Sequence, residues 1–211
     1  MNPPRIALLV IGDGRVALQA ATVSSWLAHA EEFEQTRCVV VDDAHHLLGF
    51  CGAIRYGWDR LREPGPTFDY VFHLEEDWSF ERAFSIAHMA RVLDTEPQVC
   101  QVALRRGAVP GEDEPIIERF PLEFVDRTTG LIGLGRPARV QEWLEHRLFW
   151  TTNPSLYRAS LLREYEWPGP PRCEAAWTET MRSEGHTFAY WGAREDAPWI
   201  THTGERTGHG Y

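Results

Sequence analysis

An α/β fold with a mixed, mainly parallel sheet flanked by helices is what this sequence predicts. Three observations carry the prediction. Apolar runs of strand length alternate with segments of helical period through residues 1–105, the pattern of strand–helix–strand units joined by right-handed crossovers. The stretch Tyr70–Leu74 is dense in Tyr, Val, Phe and Leu, as in a parallel strand buried on both faces. The chain has 211 residues, 43% of them hydrophobic, enough to bury the core of a single domain.

The elements follow in order. Ile6–Ile11 reads as the first strand, and Gly12-Asp13-Gly14 as a turn. Val16, Ala20, Val23, Leu27 and Ala30 recur at helical spacing and predict an amphipathic helix over 16–33. Cys38–Val41 is the second strand, ending in Asp42-Asp43. A helix over 46–62 follows, closed by the breaker Glu63-Pro64-Gly65-Pro66. Then comes the apolar strand, a helix over 81–95 stopped near Pro97, and a strand at Val99–Leu104. Residues 106–140 are rich in Gly, Pro and charge and read as loops or short antiparallel strands, Phe120–Val125 being one candidate. Beyond them the pattern predicts a helix over 137–146, a strand from Phe149 into a turn near Ser155, a helix over 173–183 stopped at Gly185, and a strand at Thr187–Trp191. The tail from Trp199 has no helical period.

The most informative segment is the one where the apolar strand ends in Glu75-Glu76-Asp77. Unpaired carboxylates are costly in a core, so these belong where the strand leaves the sheet. Ligands of open α/β sheets bind at the carboxyl ends of strands. Side-chain alternation puts Glu75 and Asp77 on one side and Glu76 on the other, where a structural role is expected. Two hard oxygen ligands together suit Mg²⁺ or Mn²⁺, which in turn bind phosphates. The competing reading is a solvated acidic turn.

Composition narrows the chemistry. All 21 basic residues are Arg, and the absence of Lys excludes a pyridoxal-phosphate Schiff base, the phosphate-binding P-loop and the protein-kinase signature. Phosphate contacts must come from Arg, backbone N–H groups or a metal. A formal net charge of −10 without a basic run disfavours nucleic acid as a partner. No apolar run is long enough to predict a membrane span. The opening Met-Asn-Pro-Pro-Arg lacks the apolar region of a signal peptide. Cys38, Cys51, Cys100 and Cys173 form no Cys-x-x-Cys pair, so each is expected to be a small buried hydrophobe in a reducing cytoplasm.

Several segments together resemble the GT-A glycosyltransferases, in particular the inverting enzymes of the family-two type. They are the opening strand with Arg15 after it, Val41-Asp42-Asp43, His73-Leu74-Glu75-Glu76-Asp77-Trp78, Asn153-Pro154-Ser155-Leu156-Tyr157-Arg158, and the closing His202-Thr203-Gly204-Glu205-Arg206. The resemblance implies one GT-A domain over 1–211, a Rossmann-like nucleotide-diphospho-sugar transferase. Residues 1–105 would be the nucleotide-sugar and metal-binding half, and 106–211 the acceptor-side half with its closing loop. It implies a nucleotide-diphosphate sugar donor, a Mn²⁺ or Mg²⁺ ion, and a glycan, protein or small molecule as acceptor. Asp42 or Asp43 would bind the base or ribose, with Arg15 reaching the nucleotide and Glu75 holding the ribose or a metal-bound water. Asp77 and His202 would ligate the metal and Arg206 pair with the diphosphate. The family's Asp-x-Asp is Glu-x-Asp here.

The same resemblance makes Glu174 the catalytic base, although its usual neighbour is replaced by Cys173; Glu179 and Asp196 are the fallback candidates. Capping of the following helix is the competing role for Asp42-Asp43, a favourable dipole contact that for Glu174. Nine Trp are present, most expected in the core and some available to stack on sugars. The alternatives are a nucleotidyltransferase and a catalytically silent nucleotide-sugar binding module.

Overall fold

The computed structural model describes residues 2–106, 125–130, 140–193 and 195–204, and gives only backbone for 125–130 and for 140–141. It is an α/β structure with a mixed sheet flanked by helices. The first half supplies β1 (Arg5–Gly12), α1 (Val16–His29), β2 (Ala30–Glu31), β3 (Glu34–Asp42), α2 (Asp43–His46), α3 (Gly49–Arg62), β4 (Tyr70–Glu75), β5 (Trp78–Phe80), β6 (Phe84–Ser85), α4 (Ile86–Thr95) and β7 (Val99–Ala103). The second supplies β8 (Val125–Gly130), β9 (Val140–His146), β10 (Ser155–Arg158), α5 (Ser160–Glu164), α6 (Cys173–Ser183), β11 (Thr187–Trp191) and β12 (Ile200–His202).

The main sheet runs β3-β1-β4-β10-β7-β11-β9-β8. β1 pairs in parallel with β3 and β4, and β11 in parallel with β7. β10 lies antiparallel between β4 and β7. A strand of the second half is thus inserted between two of the first, and the sheet is continuous across both. Alternation along β1 and β4 feeds two cores. Ile6, Leu8, Val10, Phe72 and Leu74 face Trp26 of α1 and Ile86, Met89 and Leu93 of α4. Ala7, Leu9, Ile11 and Val71 face Ile54, Trp58 and Leu61 of α3 and Trp177 and Met181 of α6. The second core is aromatic: Trp58 meets Trp177 edge-on at 5.2 Å and donates its indole N–H to the Tyr157 hydroxyl at 3.0 Å. Trp78, Trp150, Trp177, Trp191 and Trp199 are all buried.

Where sequence and structure differ, tertiary pairing is the reason. Residues expected as a helix over 137–146 form β9, because β8 and β11 flank that segment and satisfy its backbone as a strand. The strand expected from Phe149 begins only at Ser155. The helix expected over 46–62 is split at Leu47, whose φ is +53°, and the one over 81–95 starts at Ile86, after β5 and β6. The first helix stops at His29, and its buried face is not the apolar stripe. Val16 and Leu27 are exposed, whereas Thr22 and Trp26 are buried. Thr22 Oγ1 donates to the Glu76 carbonyl at 2.6 Å and accepts from Trp78 N–H at 3.0 Å, and Ser25 Oγ accepts from Phe80 N–H at 2.9 Å. Hydroxyls on this helix therefore serve as backbone partners for the β4–β5 turn. The Phe120–Val125 candidate lies outside the described residues except for Val125.

The cysteine expectation is corrected. Cys51 on α3 and Cys173 at the start of α6 form a disulfide across 122 residues of sequence. Cys38 is exposed, and of the four only Cys100 is a buried free thiol. Spacing could not reveal the pair, because bridging depends on the distance between Cα atoms, here 5.8 Å, and not on sequence interval. A link of this kind stabilises by about 2–4 kcal/mol. Among the described residues no helix is long and apolar enough to cross a membrane.

Candidate active site

The carboxyl ends of β1, β3 and β4 lie side by side, and the turns leaving them carry most of the polar groups singled out in the sequence. Gly14, with φ +78°, closes the turn after β1 and brings Arg15 over the end of β4; a Cβ there would lie 2.7 Å from the Ala44 methyl. Arg15 donates through Nε to Glu76 at 2.5 Å and through a terminal N–H to Asp77 at 3.0 Å. Glu76 is nearly sealed, with a side chain 3% exposed, and sits beneath Gly12, where an added Cβ would come within 2.6 Å of its carboxylate. A buried carboxylate needs such a partner, so Glu76 has the structural role expected of it.

The strict alternation expected of Glu75 and Asp77 breaks, because the strand ends at Glu75 and Glu76-Asp77 form a turn. Asp77 faces Arg15 and the closing segment. Its Oδ2 lies 3.2 Å from Nε2 of His202, and its carbonyl accepts from Thr203 N–H at 2.8 Å. β12 pairs with β5, His202 opposite Trp78, and this ladder delivers the imidazole. Gly204 is packed so closely that a Cβ would meet the Asp77 carboxylate at 2.2 Å, so the segment requires glycine there.

Glu75 faces the other way, toward the second half. Burial pushes its carboxyl up to about 8, reinforced by the negative charges of Glu174 and Asp77 and opposed by nearby Thr152 and Trp78. Among the described residues its buried Oε1 has no hydrogen-bond partner. The sign of the stability effect follows. An unfolded Glu ionises near pH 4.3. From there to about pH 8 the unfolded chain sheds a proton that the folded chain keeps, so stability falls as pH rises through that window. Glu75→Gln cannot ionise. In metal-free buffer it is expected to be about 2–4 kcal/mol more stable than the parent at pH 8 and nearly equal to it at pH 4.5, by urea denaturation. Equal stabilities at pH 8 would show that Glu75 ionises normally.

Glu174 opens α6. Its Oε1 accepts from both the backbone N–H of Thr152, at 3.0 Å, and the Thr152 hydroxyl, at 2.9 Å. Thr152 precedes β10, whose Ser155 is opposite His73 of β4, and that register sets residues 152–154 beside the end of β4. Sequence reasoning missed Thr152; it contributes a backbone N–H and a hydroxyl, which carry no motif. The fallback candidates are placed differently. Glu179 is largely exposed and pairs with Arg182 at 3.3 Å, while Asp196 accepts from Ala193 N–H at 2.8 Å and pairs with Arg82.

Asp42 and Asp43 have local work. Asp42 caps α2 by accepting from Ala44 N–H at 3.1 Å and lies 3.5 Å from His45. Asp43 is buried and accepts from Leu48 and Gly49 N–H at 2.7 and 2.9 Å. The capping reading therefore describes both, with Asp42 still beside the Gly14 turn. Arg206 lies outside the described residues.

The structure thus gathers Arg15, Glu75, Asp77 and His202 around one strand end, with Glu174 coupled to Glu75. Such a set can bind a cation, an anion through Arg15, or a hydroxyl through Glu174. Asp77 and His202 fit a divalent ion in donor type and proximity. Among the described residues no group of three or more His, Cys, Asp or Glu is arranged to hold a metal ion. No protein-family model matches the chain, and no curated protein is significantly similar to it.

Proposed function

We propose that the protein is a metal-dependent, inverting glycosyltransferase of the GT-A type, moving a sugar from a nucleotide-diphosphate donor to a hydroxyl acceptor. The observation that carries the reading is the meeting of Asp77, Arg15 and His202 at the carboxyl end of β4, with Glu75 on the other side of that strand end, toward Glu174 of the second half. These residues come from four segments far apart in sequence.

In this reading Asp77 and His202 would hold Mn²⁺ or Mg²⁺, which would supply Lewis-acid neutralisation of diphosphate charge. Arg15, bridging Glu76 and Asp77, fixes the turn and offers guanidinium N–H groups to a phosphate at the same edge. Glu174 takes the proton of the acceptor hydroxyl as its oxygen attacks the anomeric carbon, and one displacement inverts that carbon. Thr152 holds Oε1 of Glu174 with two donors, so the carboxylate is oriented before the acceptor arrives. Residues 1–105 serve the donor and 106–211 the acceptor, except for the closing segment, whose His202 returns to the donor side. A cytoplasmic location belongs to the proposal, and there the Cys51–Cys173 disulfide would meet reducing thiols.

The test is a panel of nucleotide-diphosphate sugars, each with and without Mn²⁺, read by thermal shift and then by transfer to simple hydroxyl acceptors. At least one donor is expected to raise Tm in a Mn²⁺-dependent manner and to be hydrolysed slowly without acceptor. Pyrophosphate release from a nucleoside triphosphate would point to a nucleotidyltransferase. Stabilisation with neither hydrolysis nor transfer would point to a binding module.

A further inference from the structure

We propose that the Cys51–Cys173 disulfide is a redox-sensitive clamp that positions Glu174, so that reducing it slows acceptor chemistry without unfolding the protein; the functional part rests on the glycosyltransferase reading. The argument starts at the entry to α6. Arg172, which precedes it, has φ +63°, an uncommon conformation for a residue with a Cβ, and gives the helix no side-chain cap. Glu174 is the acidic residue of the first turn. Its Oε1 reaches across to the N–H and hydroxyl of Thr152. The first turn is therefore held from outside, by the sulfur of Cys173 bonded to α3 and by the Glu174–Thr152 contact beside it. The crosslinked Cys173 and the proposed base Glu174 are adjacent in the chain.

The rest of the helix has separate support. Trp177 packs on Trp58, Trp150 and Trp167, Met181 is buried, and Thr178 Oγ1 accepts from Trp150 N–H at 3.0 Å. Opening the disulfide therefore frees the first turn and leaves the helix docked. The two sulfurs differ in access: Cys173 is buried, whereas Cys51 is partly exposed on α3. A dithiol reductant of the thioredoxin or dithiothreitol class attacks Cys51 Sγ as its thiolate. Cys173 leaves as a thiolate and takes up a proton. The second thiol of the reductant then displaces Cys51, giving two protein thiols and one oxidised reductant, a balanced two-electron exchange.

The experiment compares oxidised protein, dithiothreitol-reduced protein and Cys51→Ala. The substituted side chain lies on α3 and is not one of the residues assigned to donor, metal or acceptor. Thiol titration in denaturant without reductant should find two free thiols in the parent, Cys38 and Cys100. Hydrogen exchange of the Thr152 amide should quicken in both the reduced and the Cys51→Ala proteins, with amides of β4 and β7 unchanged. Tm should fall by about 5–15 °C, and transfer kcat by about 10–100-fold at constant donor affinity. Dithiothreitol should have no further effect on Cys51→Ala. Four titratable thiols, or unchanged Thr152 exchange after reduction, would overturn the clamp. These two readouts need no activity, so a chain that transfers no sugar tests the function and leaves the clamp to be judged on them. Full transfer by the reduced enzyme would overturn the positioning role.

Discussion

Glu174→Gln is expected to lower sugar transfer by about 10²–10⁴-fold, the range general-base catalysis contributes. Glutamine is the informative substitution because it separates two functions of the side chain. Its amide oxygen can still accept from the Thr152 N–H and hydroxyl, so the first turn of α6 stays in place. What it cannot do is take a proton. Donor affinity, read by titration with the nucleotide sugar, should stay within about twofold, since no contact from Glu174 to the nucleotide is proposed. Glu174→Ala should lose both functions and also expose the Thr152 amide to exchange. The product anomer, read from NMR coupling constants, should be opposite to the donor's. Retained configuration would rule out single displacement, and with it the role of Glu174. A glutamine variant that transfers at the parental rate would move the base elsewhere.

The parts of this molecule that were legible in the sequence are those whose signal is local. Tyr70–Glu75 could be read as a doubly buried strand because both its faces are apolar and carboxylates mark its exit. α6 and β11 were legible because a helical period, a glycine at φ +84° and a short apolar run follow one another directly. β9 was not legible. Gln141, Glu142 and Glu145 lend its sequence a helix-like polarity, and only pairing with β11 and β8 makes it a strand. The face of α1 was misassigned for a related reason. Polar Thr22 and Ser25 are turned toward backbone groups of the β4–β5 turn and of β5, a demand arising more than fifty residues away in sequence.

The site divides along the same line. Strand-end carboxylates announce themselves, since an acid at the end of a buried strand has few other places to be. Their directions did not, because the turn at Glu76-Asp77 interrupts the alternation on which the expectation depended. Thr152 and the disulfide were invisible for want of any local pattern. One acts through main-chain geometry, and the other links segments 122 residues apart. Asp42 and Asp43 show the opposite hazard, since a motif-like pair is engaged in capping and loop closure.

Asp77→Asn is expected to remove at least about 10²-fold of turnover and to abolish the Mn²⁺-dependent rise in Tm with donor, while the protein remains folded. The fold should survive because the neighbours of Asp77 have other anchors. Arg15 keeps its 2.5 Å contact with Glu76, Thr203 N–H bonds the main-chain carbonyl of residue 77, and β12 stays paired with β5 through Ile200 and Phe80. Asparagine preserves shape but removes the negative oxygen that faces both Arg15 and His202. A divalent ion then loses its one carboxylate ligand here and keeps only the imidazole. His202→Ala should give a similar loss of Mn²⁺ dependence. The double variant should be little worse than either alone, because two ligands of one ion act as a unit. Additive losses would mean that the two side chains serve different ends. Near-parental turnover by Asp77→Asn, with its Mn²⁺ response intact, would place the metal away from the end of β4 and remove the main support for a diphosphate-sugar donor at this edge of the sheet.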